Sequence, residues 1–356
     1  MQSPKTLFAV LVSTILLAGL VIVGCGGGSS NSGGPQMGTV QSTISDPPTC
    51  SLSGSGEFQH VYITVTDVKI NQSSTAGAND SGWQDLAPGL AASPRQIDLL
   101  GNPSNQCFLA QLGAQQIQAG SYQQIRIILL ANNQAGQLST NACSSVSAAN
   151  CVVLGNGTVK ALQLSSESQT GIKIPSGQIA GGQFVVPAGQ TVDLNIDFDA
   201  CASIVISGSG QYRLKPVLHA GEVSIQTNAA TQIKGNVVDS ISQGAIPGTT
   251  IVALEQRDSA TGVDRVIMQT VADAQGNFVF CPVPDGTYDV VAVSIGVGGL
   301  AYAATVTTGV AQGSTLTNIP MVAETGINTT QASISGLVTT AGGSGGTAAD
   351  ITLAAT

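Results

Sequence analysis

The sequence predicts an all-β protein: two tandem β-sandwich domains after a signal peptide and a flexible tether, with an incomplete third repeat at the C-terminus. Three observations predict this. Charged residues make up only 9% of the 356 positions while glycine occupies 44, a composition suited to strands with uncharged polar faces and many turns. From Gly38 onward, short runs with an apolar residue at every second position recur between turn-rich stretches such as "SGSG" and "VPAGQ". Beyond the first 24 residues, no long stretch spaces its apolar residues at three and four. Many short strands divided by turns imply a sandwich or a barrel.

The elements follow in order. Lys5 precedes an uncharged run, "TLFAVLVSTILLAGLVIVG", which has the basic start and apolar middle of a secretory signal peptide over residues 1–24. Ile22, Val23 and Gly24 before Cys25 resemble the lipobox of bacterial lipoproteins. That resemblance implies cleavage between Gly24 and Cys25, acylation of the Cys25 thiol, and attachment to a membrane. A spanning helix of similar length would want basic residues on its cytoplasmic flank. Here the flank is "GGGSSNSGGPQ", without charge. Residues 25–36 are therefore expected to be the lipidated cysteine and a flexible tether. Gly26 rather than Asp after Cys25 permits the outer membrane or the cell surface, ahead of the inner membrane, by resemblance to known sorting rules.

Residues 37–226 are expected to form the first sandwich. In "HVYITVTDVKI", Val61, Ile63 and Val65 share a face, and Val68 and Ile70 continue it after a slip of phase, which predicts a bulge near Thr66 and Asp67. In "TVDLNIDFDA", Val192, Leu194, Ile196 and Phe198 alternate with Asp193, Asn195, Asp197 and Asp199, predicting one face in a core and the other in water. "QQIRIILL" and "QYRLKPVL" read as further strands. Residues 231–323 supply a second series, from "TQIKGNVVD" to "YAATVTT", with turns at "DAQGN" and "PDGT". Residues 324–356 hold a linker and "ISGLV", which repeats "IKGNV"; two strands cannot bury a core alone, so this is a partial repeat or a terminal hairpin.

Net charge is −9, from 11 Lys+Arg against 20 Asp+Glu, which argues against nucleic acid as a partner, since phosphate binding needs clustered basic residues. Seven cysteines are present, six besides Cys25, and an even number outside the cytoplasm permits disulfides. Cys143 and Cys151 bracket a short polar loop and form the first expected pair, and Cys50 with Cys107 the next. Cys201 and Cys281 sit in or beside strand-like runs and read as small buried apolar residues. No C-x-x-C spacing suggests zinc.

The ordered motifs "HVYITVTDVKI", "GWQDL", "IDLL", "IQAGSYQQIRIIL", "PSGQ", "FVVPAGQTVDLNIDFDA" and "YRLKPVL" resemble the bacterial lipoprotein family of domain of unknown function 4382, over residues 38 to about 219. The cysteine-bearing insertion around residues 132–152, and "CAS" after "DFDA", depart from its pattern. The resemblance implies architecture and address, with no chemistry. "IKGNVVD", "IPGTTIVAL", "ADAQGNFVF" and "VPDGTYDVVA" are similar to the carboxypeptidase regulatory-like, or transthyretin-like, sandwich. This second resemblance implies that Gly276 and Gly286 hold tight turns, that Tyr288 enters the core edge, and that the module is accessory. The label carbohydrate-binding-like fold, attached to related sandwiches, is an analogy of fold only.

Candidate chemistry is sparse. His219 and Glu222 in "HAGE" have the H-x-x-E spacing of a zinc hydrolase, but no histidine follows, and His60 lies far upstream. "GGSGG" at 342–346 and "GVGGLA" at 296–301 lack the helix that a nucleophile elbow or a phosphate loop needs, and read as turns. Asp193, Asp197 and Asp199 are weak calcium candidates and otherwise a solvated strand face. Trp83, in a polar loop, is a candidate for stacking on a sugar or a plug for one end of the sandwich, and the tyrosines at 62, 122, 212, 288 and 302 share the stacking chemistry. The expectation is a lipid-anchored, non-enzymatic envelope protein without cofactor, structural or ligand-binding, with a glycan or an envelope protein as partner. The alternatives are a carbohydrate-binding surface protein and, more distantly, a metal-dependent hydrolase.

Overall fold

The computed structural model describes residues 34–46, 58–101, 109–224, 231–246, 248–259, 262–296 and 301–324. The chain is all-β, and the described strands gather around two principal apolar cores.

The first core lies between two sheets. One has four strands in the order Leu218–Glu222, Thr191–Phe198, Met37–Ser45, Ala110–Gln118. Met37–Ser45 runs parallel to Thr191–Phe198, with Thr39 opposite Thr191 and Ile44 opposite Ile196. The facing nine-stranded sheet is organised by the long strand Phe58–Asn71, which pairs with Gln124–Leu129, Cys151–Leu154, Arg95–Asp98 and Gln84–Asp85. Its register shifts between Val65 and Asp67, where the change of apolar phase predicts a bulge. The bulge lets Val61, Ile63, Val65, Val68 and Ile70 all enter the core on one face.

The second core lies between a three-stranded sheet, Asn277–Phe280, Ile233–Asp239 and Thr315–Met321, and a six-stranded sheet led by Asp264–Val271, Gly248–Arg257 and Thr287–Gly296. The turn in "DAQGN" needs its glycine twice over: Gly276 has φ +83°, and a Cβ there would meet the Val237 carbonyl oxygen at 2.3 Å. Tyr288 is buried and donates its hydroxyl hydrogen to the Pro284 carbonyl at 2.5 Å. The boundary expected between 226 and 231, and the repeat in 324–356 after Glu324, lie outside the described residues.

The second sandwich covers part of the first. Ala180 packs against the second core, and the Gly181 amide donates to Gln256 Oε1 at 3.3 Å. The two sandwiches approach closely at two glycines: a Cβ on Gly221 would lie 2.6 Å from Cγ of the rigid Pro284 ring, and one on Gly177 would lie 2.7 Å from Arg265 Nη1, at the end of a side chain that can shift. This seam overturns the reading of "TVDLNIDFDA" as a strand half in water. Asn195, Asp197 and Asp199 are all buried, because their side of the four-stranded sheet meets the second sandwich rather than solvent.

Candidate functional site

Polar groups and clefts concentrate at the seam. In the four-stranded sheet, Ser45 stands opposite Asp197, and Asp197 opposite His219, so the three side chains share the face away from the first core. Thr43 Oγ1 donates to Asn195 Oδ1 at 3.0 Å, and Asn195 Nδ2 donates to Ser45 Oγ at 2.8 Å, satisfying the middle of this polar face. Beyond it the pairing fails. Asp46, Asp197, Asp199 and His219 are only 4%, 3%, 4% and 5% exposed. Asp46 Oδ2, both carboxylate oxygens of Asp197, and His219 Nδ1 are buried without a hydrogen-bond partner. Asp46 Oδ1 accepts from the Ala200 amide at 2.7 Å, and Asp199 caps the short helix Ala200–Ser203 by accepting from the Ala202 amide at 2.9 Å.

Burial dominates the electrostatics. It pushes the Asp197 carboxyl well above the usual range, helped by the charge of Asp199. Asp46 rises well above that range for the same reason, with Asp199 adding and the Ala200 amide opposing. Asp199 rises to about 6 by burial, against the amides of Ala202 and Cys201 and the side chain of Gln269 from the second sandwich. Burial lowers His219 to about 4.

Two clefts flank the contact between Gly181 and Gln256. One, of about 330 Å³, is lined by Ile179, Gly182, Arg257, Asp258 and Arg265 among others. Its guanidiniums are engaged: Arg265 Nε lies 2.9 Å from Asp258 Oδ2, and Arg257 Nη1 lies 3.4 Å from Asp264 Oδ1. The other, of about 250 Å³, presents Phe184, Val185, Glu222, Pro284 and Asp285. Burial raises the Glu222 carboxyl, and the charges of Asp285 and Asp193 add to the shift.

The sequence-derived candidates separate. Cys25, with Gly24, lies outside the described residues, as do Cys50, Cys107 and "GGSGG". Cys143 and Cys151 form the expected disulfide, with Cα atoms 5.6 Å apart, and close a small satellite core with Ala148. Cys201 and Cys281 are buried, as expected, and both are disulfide-bonded, which corrects their reading as simply small apolar residues. Trp83 donates its indole N–H to the Gly77 carbonyl at 2.8 Å, and the Arg126 guanidinium sits 5.2 Å above the ring, so one aromatic face is used within the molecule. Tyr122, Tyr288 and Tyr302 are buried. His219 and Glu222 lie on one strand, where residues three apart face opposite sides, so the H-x-x-E spacing brings no pair of ligands together. Among the described residues no three His, Cys, Asp or Glu side chains are grouped to hold a metal ion, Asp193, Asp197 and Asp199 included.

Sequence reasoning missed one pairing on the opposite sheet. Asp98 is opposite Tyr62 in register, and its Oδ2 lies 2.6 Å from His60 Nδ1, while its Oδ1 accepts from the Val61 and Leu100 amides. Tyr62 stacks on the His60 ring with centroids 5.5 Å apart. The two residues are 38 positions apart, and only the strand register brings them together.

Residues 37–216 match the family described as Domain of unknown function (DUF4382), and the chain belongs to that family. No curated protein matches it. Among solved structures, the Bacillus anthracis TIE protein is 12% identical over 81% of this chain and 34% of its own, with a TM-score of 0.20, so the chain spans about a third of its length. The shaft pilin SpaA from Lactobacillus rhamnosus GG is 12% identical over 82% of this chain and 99% of its own, with a TM-score of 0.19. The group B streptococcus pilus 2b backbone protein is 9% identical over 77% and 90%, with a TM-score of 0.20. Superposition at this level carries no functional argument.

Proposed function

We propose that this protein is a lipid-anchored, non-enzymatic module of the bacterial cell envelope, held at the outer membrane or the cell surface through Cys25 and acting as a structural or ligand-binding element. In this reading residues 1–24 are a signal peptide, and the second sandwich is an accessory domain of the carboxypeptidase regulatory-like type. The observation that carries it is the state of the cysteines: Cys143, Cys151, Cys201 and Cys281 are all disulfide-bonded, the chemistry of an oxidising compartment outside the cytoplasm. The lipobox-like "VIVGC" supplies the anchor, and the tether after it supplies reach. Ligands of such a module would meet it at the two clefts of the seam, where concave surface and polar groups coincide.

The test is metabolic labelling with a fatty acid, followed by fractionation. Wild-type protein should carry label and pellet with membranes, and Cys25→Ser should lose both. Label retained on the variant, or a wild-type protein that keeps its apolar start, overturns the anchor.

A further inference from the structure

We propose that the seam between the two sandwiches is a proton-controlled joint, closed when Asp46, Asp197 and Asp199 are protonated and loosened when they ionise. The inference is independent of the anchor at Cys25. Its basis is geometric. Asp197, beside Met268, Pro282 and Pro284, and Asp199, beside Gln269, lie where the second sandwich lands, Asp46 adds its charge to theirs from the end of the neighbouring strand, and three of the oxygens have no hydrogen-bond partner. The cavity that Asn195 and Asp197 share with Met268, Pro282 and Pro284 is about 10 Å³, at the lower limit for one water and too small for a hydrated ion.

The charged and titratable groups facing the cluster give no compensation. From its own sheet come His219 and, farther along, Asp193 and Glu222; from the opposite sheet comes Asp98, whose charge bears on Asp46 and which is engaged with His60. The second sandwich offers Met268 and the uncharged Gln269 against the carboxylates, and Asp285 near Glu222. None of Asp46, Asp197, Asp199 and His219 has an ion-pair partner among the described residues. Ionised together, the three carboxylates would be desolvated and mutually repulsive, and the available relief is to let water in by parting the sandwiches.

The sign is as follows. A carboxyl whose value is raised in the closed state favours closure at acid pH, and that contribution is lost as pH rises through the raised value. His219, lowered by burial, opposes closure only below its ordinary value, as the open state takes up its proton. Above about pH 6.5 the histidine is neutral in both states and Asp199, raised to about 6, has already ionised, so Asp46 and Asp197 alone set the response.

Hydrogen exchange measured by mass spectrometry on the intact oxidised protein tests this between about pH 6.5 and about pH 8.5, with rates corrected for the intrinsic pH dependence of exchange. Opening of Leu218–Glu222 and of Asp264–Val271 should rise across this interval, by up to about tenfold per pH unit for each proton released on opening. Strands remote from the seam, such as Thr305–Ala311, should not change. In the double variant Asp46→Asn with Asp197→Asn, the seam should lose most of this slope. A flat wild-type profile overturns the proposal even if the variant does not fold, and so does an unchanged slope in a folded variant. Seam protection at about pH 8.5 that a chelator abolishes also overturns it, by showing that the carboxylates hold a cation instead of protons.

Discussion

Asp239 and Asp273, in turns of the second sandwich, and Asp197 and Asp199, at the seam of the first, are the same residue under opposite conditions. Asp239 accepts from the Ile241 amide at 3.0 Å, the Ser242 amide at 2.7 Å and the Ser242 hydroxyl at 2.9 Å, and these bonds hold its carboxyl below the usual range. Asp273 accepts from the Gln275 and Asn277 amides at 2.9 and 2.8 Å, tying the turn around Gly276. Both stand in exposed turns, and at Asp239 the local amides stabilise the charge. Both carboxylate oxygens of Asp197 are buried without a hydrogen-bond donor, and burial drives its carboxyl upward. The difference lies in what each carboxylate faces. A carboxylate in a turn helps to build its own loop, whereas one placed between domains makes the contact conditional on its proton.

Substitutions can break or sharpen this contrast. The largest effect is expected from Asp199→Asn, which keeps an acceptor for the helix cap but cannot ionise. A carboxyl raised from 3.8 to about 6 loses stability as pH climbs through that interval, so the variant should gain up to about 3 kcal/mol over wild type above pH 6 and nothing in strong acid. Denaturant midpoints at the two extremes check it, and an equal gain at both would mean that charge is not the cause. Gly221→Ala attacks the same seam by shape: its Cβ would fall 2.6 Å from Pro284 Cγ, and overpacking of this kind costs about 1–3 kcal/mol at every pH. A smaller loss, about 1 kcal/mol, is expected for Asp273→Ala, from hydrogen bonds that stabilise a turn without a seam. Asp239→Asn should show the weakest effect and the opposite pH dependence to Asp199→Asn. Its wild-type advantage is present above the ordinary carboxylate value and fades as pH falls through the lowered one. Thermal melts of the two Asn variants, compared across pH, decide whether the contrast in sign is real.

What the sequence made legible follows from how local each signal is. Val61, Ile63, Val65, Val68 and Ile70 carry their burial and their bulge in a single run, and Cys143 and Cys151 are close enough along the chain for their pairing to be read directly. The buried acids were not legible, because alternation records only that Asp197 faces away from its own core. A face in water and a face under another domain are written alike. His60 with Asp98 depended on register between strands, and the oxidation of Cys201 and Cys281 on contacts that no local spacing records. The cleft around Gly181 is assembled from two sandwiches and has no motif of its own.

The parallel pairing of Met37–Ser45 with Thr191–Phe198 bears on the order in which the molecule is made. Thr43 bonds to Asn195, a partner 152 residues later in the chain, and the antiparallel neighbour Ala110–Gln118 holds only one edge in the meantime. The strand translated first therefore waits, half-paired, for one translated much later, and closing so large a loop is a slow entropic step. Until then its unpaired backbone is a template for foreign strands. A chain that begins to fold before Phe198 has emerged is exposed to that hazard, and one delivered whole and unfolded to its destination avoids it.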